Sequence, residues 1–271
     1  MTLIGASVPV VNGKLRTIRM KKLSLLSLFA ISFMLSFSAY GQMPVGNVMS
    51  STNCSLADGV GMRELVQWFR DNPRNSDSTN LVFVRQPIIM GANFTDNYDF
   101  RLVTYYGSYG EYVSQRQARR SRFGEARVMP SPLPQNMFSC DFANQNISLV
   151  RQVPDGDAFT GDYTLMSQRL CFLNEGVTQA DAYNFVVGVA AGFRRGGDNS
   201  LMQVSTRAFG PIQNVTAGGA VLVTSVPATA DAMAARLDLT REGLDVVQGL
   251  DNVMACAHPS LWQTNAVYRP N

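Results

Sequence analysis

The chain has 271 residues, 23 of them basic and 20 acidic, with one histidine and four cysteines. Lys14, Arg16, Arg19, Lys21 and Lys22 stand at its front, and without them 18 basic residues face 20 acids. That balance gives no electrostatic case for nucleic acid or an anionic membrane as partner. One histidine and no C-x-x-C pair also argue against a zinc site built from the cysteines.

Residues 1–41 have the three parts of a secretory signal peptide. After the basic front comes a mostly apolar run from Leu23 to Phe37, then Ala39-Tyr40-Gly41 in the small-x-small form of a cleavage site. The run is short of the about 20 residues that a membrane span needs. Met20-Lys-Lys reads as the natural start, with residues 1–19 an upstream mis-start; an uncleaved anchor is the alternative. The expectation is an exported chain, periplasmic or extracellular, with no membrane span after cleavage. In that compartment an even cysteine count points to disulfides.

The next elements form a first unit, residues 42–153. The pattern predicts a strand ending near Cys54, a helix from Met62 to Arg70, strands over Leu81–Ile89 and Phe100–Tyr106, a helix from Tyr109 to Phe123, and a strand starting near Met137. Met129-Pro-Ser-Pro-Leu-Pro134 reads as an exposed stiff loop before that last strand. Residues 154–162, rich in Gly, Asp and Pro at their start, read as a linker.

The second unit, residues 163–271, repeats the order. A strand runs from Tyr163 to Phe172. Thr178-Gln-Ala-Asp181 is a capping signal for a helix whose apolar series is Ala182, Phe185, Val186, Val189 and Phe193. Arg194-Arg195-Gly196-Gly197 ends that helix. Strands follow at Leu201–Phe209 and Ala220–Val226, then a helix from Thr229 to Leu244 and a strand beginning at Val253–Cys256.

The two units also match in wording. Cys54-Ser-Leu56-Ala-Asp58-Gly59-Val60 returns 117 residues later as Cys171-Phe-Leu173-Asn-Glu175-Gly176-Val177. Cys140 and Cys256 follow their partners by 86 and 85 residues. At an offset of 120, Leu81, Val84 and Arg116 match Leu201, Val204 and Arg236, and Leu102-Val103-Thr104 matches Leu222-Val223-Thr224.

The order in each unit is βαββαβ. In a ferredoxin-like unit of that order the antiparallel sheet runs 4-1-3-2. The end of strand 1 then lies beside the beginning of strand 4, where a disulfide is within reach. This predicts Cys54–Cys140 and Cys171–Cys256, each closing a loop worth roughly 4 kcal/mol in the chain-entropy account. With this order and this cysteine frame, the chain resembles duplicated ferredoxin-like proteins of the dimeric α+β-barrel type. It also resembles uncharacterised exported bacterial proteins whose repeats open C-x-L-x-[DE]-G-x. The resemblance implies an α+β fold in which tandem units form an intrachain pseudo-dimer around a central space. It brings no catalytic residue with it.

Candidate site residues are few. His258 is the one ordinary general base or haem ligand, and Trp262 stands close after it. Tyr105, Tyr106 and Tyr109, with Tyr112, are replaced by small residues in the second unit and suit a ligand entrance. Arg116, Arg119, Arg120, Arg122 and Arg127 read as a solvated helix face rather than an anion patch. Asp58-Gly59 and Glu175-Gly176 read as turn architecture, with glycine at positive φ and an acid before a helix. No nucleophile elbow, phosphate loop or metal motif is written in the chain.

The leading expectation is a non-enzymatic protein without cofactor or metal that holds a small apolar or aromatic molecule between its units. The alternatives are a cofactor-free monooxygenase or haem-binding barrel using His258, and an envelope protein that self-associates through exposed sheet edges.

Overall fold

A computed structural model of the chain describes residues 43–72, 80–91, 97–125, 136–211 and 219–269. The leader, the proline-rich loop and Arg127 lie outside them. So do the side chains of Arg119, Arg120 and Arg122.

In chain order the elements are β1 (Asn47–Leu56), α1 (Met62–Asp71), β2 (Leu81–Ile89), β3 (Phe100–Tyr106), α2 (Tyr109–Glu125), β4 (Phe138–Cys140) and β5 (Asn146–Gln152). There follow β6 (Tyr163–Leu173), α3 (Gln179–Arg195), β7 (Leu201–Phe209), β8 (Ala220–Val226), α4 (Ala230–Arg241), β9 (Met254–Cys256) and β10 (Ser260–Tyr268).

Eight strands close into an antiparallel barrel, in the circular order β10-β2-β3-β1-β5-β7-β8-β6 with β6 returning to β10. Within it β5-β1-β3-β2 and β10-β6-β8-β7 follow one another, and the β5–β7 and β10–β2 pairings join them. Among the described strands, the three-residue β4 and β9 pair on one side only, β4 with β1 and β9 with β6.

The strands alternate, and the outward face carries the apolar core. Leu65, Val66 and Phe69 of α1 pack on Val84, Phe100, Leu102 and Phe138. Ala182, Tyr183, Val186, Ala190 and Phe193 of α3 pack on Cys171, Met202, Val204 and Val221. Helix α3 starts as expected: the Thr178 hydroxyl accepts from the Asp181 N–H at 3.2 Å, and the Thr178 N–H donates to Asp181 Oδ2 at 2.8 Å. The reciprocal bonds satisfy two donors that a helix start leaves open.

Both disulfides form as predicted, Cys54–Cys140 and Cys171–Cys256. Each links residues directly opposite each other across β1–β4 and β6–β9. The cysteines were expected at the start of the fourth strand; instead each sits in a separate three-residue strand before it. In the first half the register jumps from Ser51↔Asn146 to Cys54↔Cys140, so residues 141–145 bulge out. In the second it slips by one residue, from Ser260↔Gln168 to Cys171↔Cys256.

Two sequence readings need correction. Helix α4 ends at Arg241, because Gly243 turns back at φ +87° and takes Leu244 out of the helix. The match of Leu102 to Leu222 is one residue out of step: Cys54 pairs with Phe100 and Cys171 with Val221, so Leu102 corresponds to Val223. A slip of one exchanges the two faces of a strand, and Leu102 faces α1 while Leu222 faces the barrel interior.

Candidate functional site

The inward positions follow from the registers. Met49, Ser51, Arg85, Arg101, Ser148, Asn146, Met166, Gln168, Arg207, Leu222 and Trp262 surround one cavity at the end of the barrel that carries the disulfides. For a barrel interior this lining is polar. Arg85, Arg101 and Arg207 line it, and among the described residues no aspartate or glutamate does.

Arg85, on β2, is 6% exposed. Its Nη2 donates to Tyr105 Oη at 2.8 Å and its Nη1 to Met49 Sδ at 3.9 Å. Tyr105 Oη lies 3.5 Å from Gln203 Oε1, which carries the chain of contacts from β3 across to β7. A thioether is a weak acceptor, and Arg85 Nε, buried, meets no acceptor among the described residues.

Arg101 donates to Asn53 Oδ1 at 3.0 Å, and its guanidinium carbon lies 4.9 Å from the ring centroids of both Tyr98 and Trp262. Those rings stack 6.4 Å apart. Trp262 is 1% exposed and forms the wall beside them. Arg207, at the exposed end of β7, donates to Asn146 Oδ1 at 2.6 Å and to the Pro211 carbonyl. Desolvation lowers the pKa of its guanidinium from the ordinary arginine value. Opposite, Gln168 Nε2 donates to Thr224 Oγ1 at 3.2 Å.

The far end of the barrel is plugged. Phe159, from the segment expected as a linker, packs 6.3 Å from Phe83 and against the cluster of Met166, Val226 and Trp262. The free space in the cavity is about 30 Å³.

The sequence candidates scatter. Tyr105 and Trp262 face the lumen. Tyr106 faces outward beneath α2 with Val48, Ile147 and Tyr112. Tyr109 is exposed, its ring 6.2 Å from Phe209. His258 is exposed on the connection between β9 and β10, with its carbonyl turned toward Gly91. Asp58 and Glu175 are exposed, and Gly59 and Gly176 take φ +78° and +77°. Arg116 is exposed and donates to Gln145 Oε1 at 3.0 Å.

Arg85, Arg101, Arg207 and Gln168 were missed because the direction of a strand's two faces is set by closure. A signal was nonetheless present. The eight barrel strands contain five arginines and no acid.

A second hollow, an open groove of about 450 Å³ between the end of α3 and α4, has Asp157, Asp198, Asp238 and Glu242 in its lining. There Asp198 accepts from Arg236 and from the Ser200 N–H and hydroxyl. Among the described residues no group of His, Cys, Asp and Glu is placed to hold a metal, and no helix is long and apolar enough to cross a membrane.

A histidine-ligated haem does not fit the lumen. Cavities for ligands of drug size run from about 300 to 1,000 Å³, against about 30 Å³ here. The chain's one histidine is exposed outside it.

No family model matches the chain, and no curated protein matches it in sequence. Among solved structures it is similar to a chlorite dismutase variant from Candidatus Nitrospira defluvii, at 8% identity and TM-score 0.46, covering 85% of this chain and 96% of that one. A putative monooxygenase from Fusobacterium nucleatum subsp. nucleatum matches at 11% identity and TM-score 0.45, covering 84% and 96%. A dye-decolorizing peroxidase from Bacteroides thetaiotaomicron matches at 8% identity and TM-score 0.41, covering 84% and 95%.

Proposed function

We propose that this chain is an exported binding protein, descended from a duplicated βαββαβ unit, that holds one small polar ligand in the lumen of its barrel. The observation that carries the reading is the lining itself. Converging hydrogen-bonding groups surround a small space against the buried Trp262, the arrangement expected of a specific ligand site. Met49, Met166 and Leu222 supply the apolar remainder, so the lining favours a polar molecule over the apolar or aromatic one expected from the tyrosines.

The role is binding rather than turnover. Arginine, glutamine, asparagine and serine can hold and orient a molecule, but none exchanges a proton readily near neutral pH. Duplication is supported by the same strand order in both halves and by disulfides on β1 and β6, which stand opposite each other in the barrel. Export is supported by the two disulfides, which persist in oxidising compartments.

Fluorescence tests the reading. In a Trp68→Phe background Trp262 is the sole indole, and the oxidised protein is titrated with formate, bicarbonate, formamide and glycerol. A saturable change with at least one solute, abolished by Gln168→Leu together with Arg85→Met, is expected. A flat response to all four, with native circular dichroism, overturns the lumen as a binding site.

A further inference from the structure

We infer that the lumen ligand is a small planar oxyanion of carboxylate type, with Arg85 as its principal counter-charge. The inference rests on the lumen reading above and adds the ligand's charge and size.

Three observations converge. The first is the charge imbalance. Arg85 lines the cavity, and the eight barrel strands themselves contain no aspartate or glutamate. Arg85 forms no ion pair with any described residue. By contrast, the buried Arg236 elsewhere in the fold has Asp198 for that purpose.

The second is the orphaned donor. Arg85 is more than nine-tenths buried, and its Nε is without an acceptor among the described residues. Lysine can escape burial by giving up its proton, whereas arginine keeps its charge. A buried guanidinium held only by a phenol and a thioether is therefore short of negative charge, and an anion in the adjoining space supplies it. The guanidinium fork matches a carboxylate in plane and spacing.

The third is size. A buried water needs at least about 10–15 Å³, so a cavity of about 30 Å³ takes about two waters or one anion of three or four heavy atoms. Formate and bicarbonate are anions of that size. Arg207, exposed near the end of its strand, also lines the cavity.

The test compares a charged probe with its neutral match. The mature, oxidised protein is titrated with sodium formate, sodium bicarbonate and formamide, with ionic strength held by sodium sulfate. Thermal midpoint is followed, together with Trp262 fluorescence in the Trp68→Phe background. Formate or bicarbonate is expected to raise the midpoint saturably, while formamide leaves it unchanged. Arg85→Met is expected to weaken that response at least about tenfold, and Arg207→Gln to weaken it less.

Equal responses to formate and formamide would overturn the anion and leave the lumen site standing. Saturable binding of formate with the same affinity in Arg85→Met would overturn the role of Arg85. No response to any of the three would overturn the anion, and a flat response to glycerol as well would overturn the lumen site. Should Arg85→Met fail to fold, the comparison of formate with formamide on the unaltered protein decides the anion, and the same titration of Arg85→Gln decides the role of Arg85.

Discussion

Arg236 and Asp198 form an ion pair beneath α4 in which neither side chain is more than 8% exposed. The guanidinium also lies 3.4 Å over the ring of Phe193. Desolvation pushes the Arg236 pKa down, and the Asp198 charge opposes that push. Removing one member of such a pair strands the other in a low-dielectric site. Asp198→Asn is therefore expected to cost about 3–5 kcal/mol, measured as the urea midpoint multiplied by the unfolding slope. Adding Arg236→Met in the same chain is expected to restore most of the loss, because the uncompensated charge is then gone.

The disulfides give a second expectation. Each closes a loop of more than 80 residues. Replacing either pair by serine is expected to lower stability by about 4 kcal/mol. The bridges lie on opposite strands of the barrel, so the two losses are expected to add. Non-reducing peptide maps give the connectivity, and denaturant titration gives the cost.

Gly188 and Gly192 of α3 and its C-cap Gly196 face the segment from Leu244 to Leu250. A Cβ at Gly192 would meet the Val246 carbonyl oxygen at 2.5 Å and its Cα at 2.8 Å. Both are backbone atoms, which cannot rotate aside. Glycine to alanine in a helix otherwise stabilises by about 1 kcal/mol. Gly192→Ala is expected instead to destabilise by about 2 kcal/mol. Gly188→Ala, which meets only the tip of Leu250, is expected to be nearly neutral. Thermal melts of the two variants side by side test the contrast.

Acid acts on the cap of α3. The Thr178 hydroxyl and the Thr178 N–H both donate to Asp181, in that order of effect, and lower its pKa below the ordinary 3.8. A depressed carboxylate contributes its stability above the unfolded pKa and loses it as pH falls through the folded one. Stability is thus expected to fall below about pH 4, and Asp181→Asn is expected to flatten that part of the curve. Melting temperature against pH for the two proteins checks the sign.

Much of the scaffold is legible in the sequence. Leu81–Ile89, Phe100–Tyr106, Leu201–Phe209 and Ala220–Val226 are strands over the ranges their composition predicted. Thr178 and Asp181 cap α3 as their spacing implied, and both cysteine pairs bond. These features are local, or depend on one topological rule. The lumen was not legible, because which face of a strand looks inward is decided by closure between distant elements. Leu102 and Leu222 illustrate the point: identical triplets suggested equivalence, yet the registers place them on opposite faces. His258 and Tyr109 drew notice by rarity and by aromatic density. Neither property determines burial, and both residues are exposed. The absence of acids from the strands was the readable clue to Arg85, and it has meaning only once the strands share an interior.

The joins β5–β7 and β10–β2 have a consequence for how the molecule must be made. Severed within residues 154–162, each fragment would present two raw strand borders and a polar, cationic concavity to solvent. Such pieces are poor independent folders and good mutual templates, so a ribosome that has finished only the first has made a half that must wait for its counterpart.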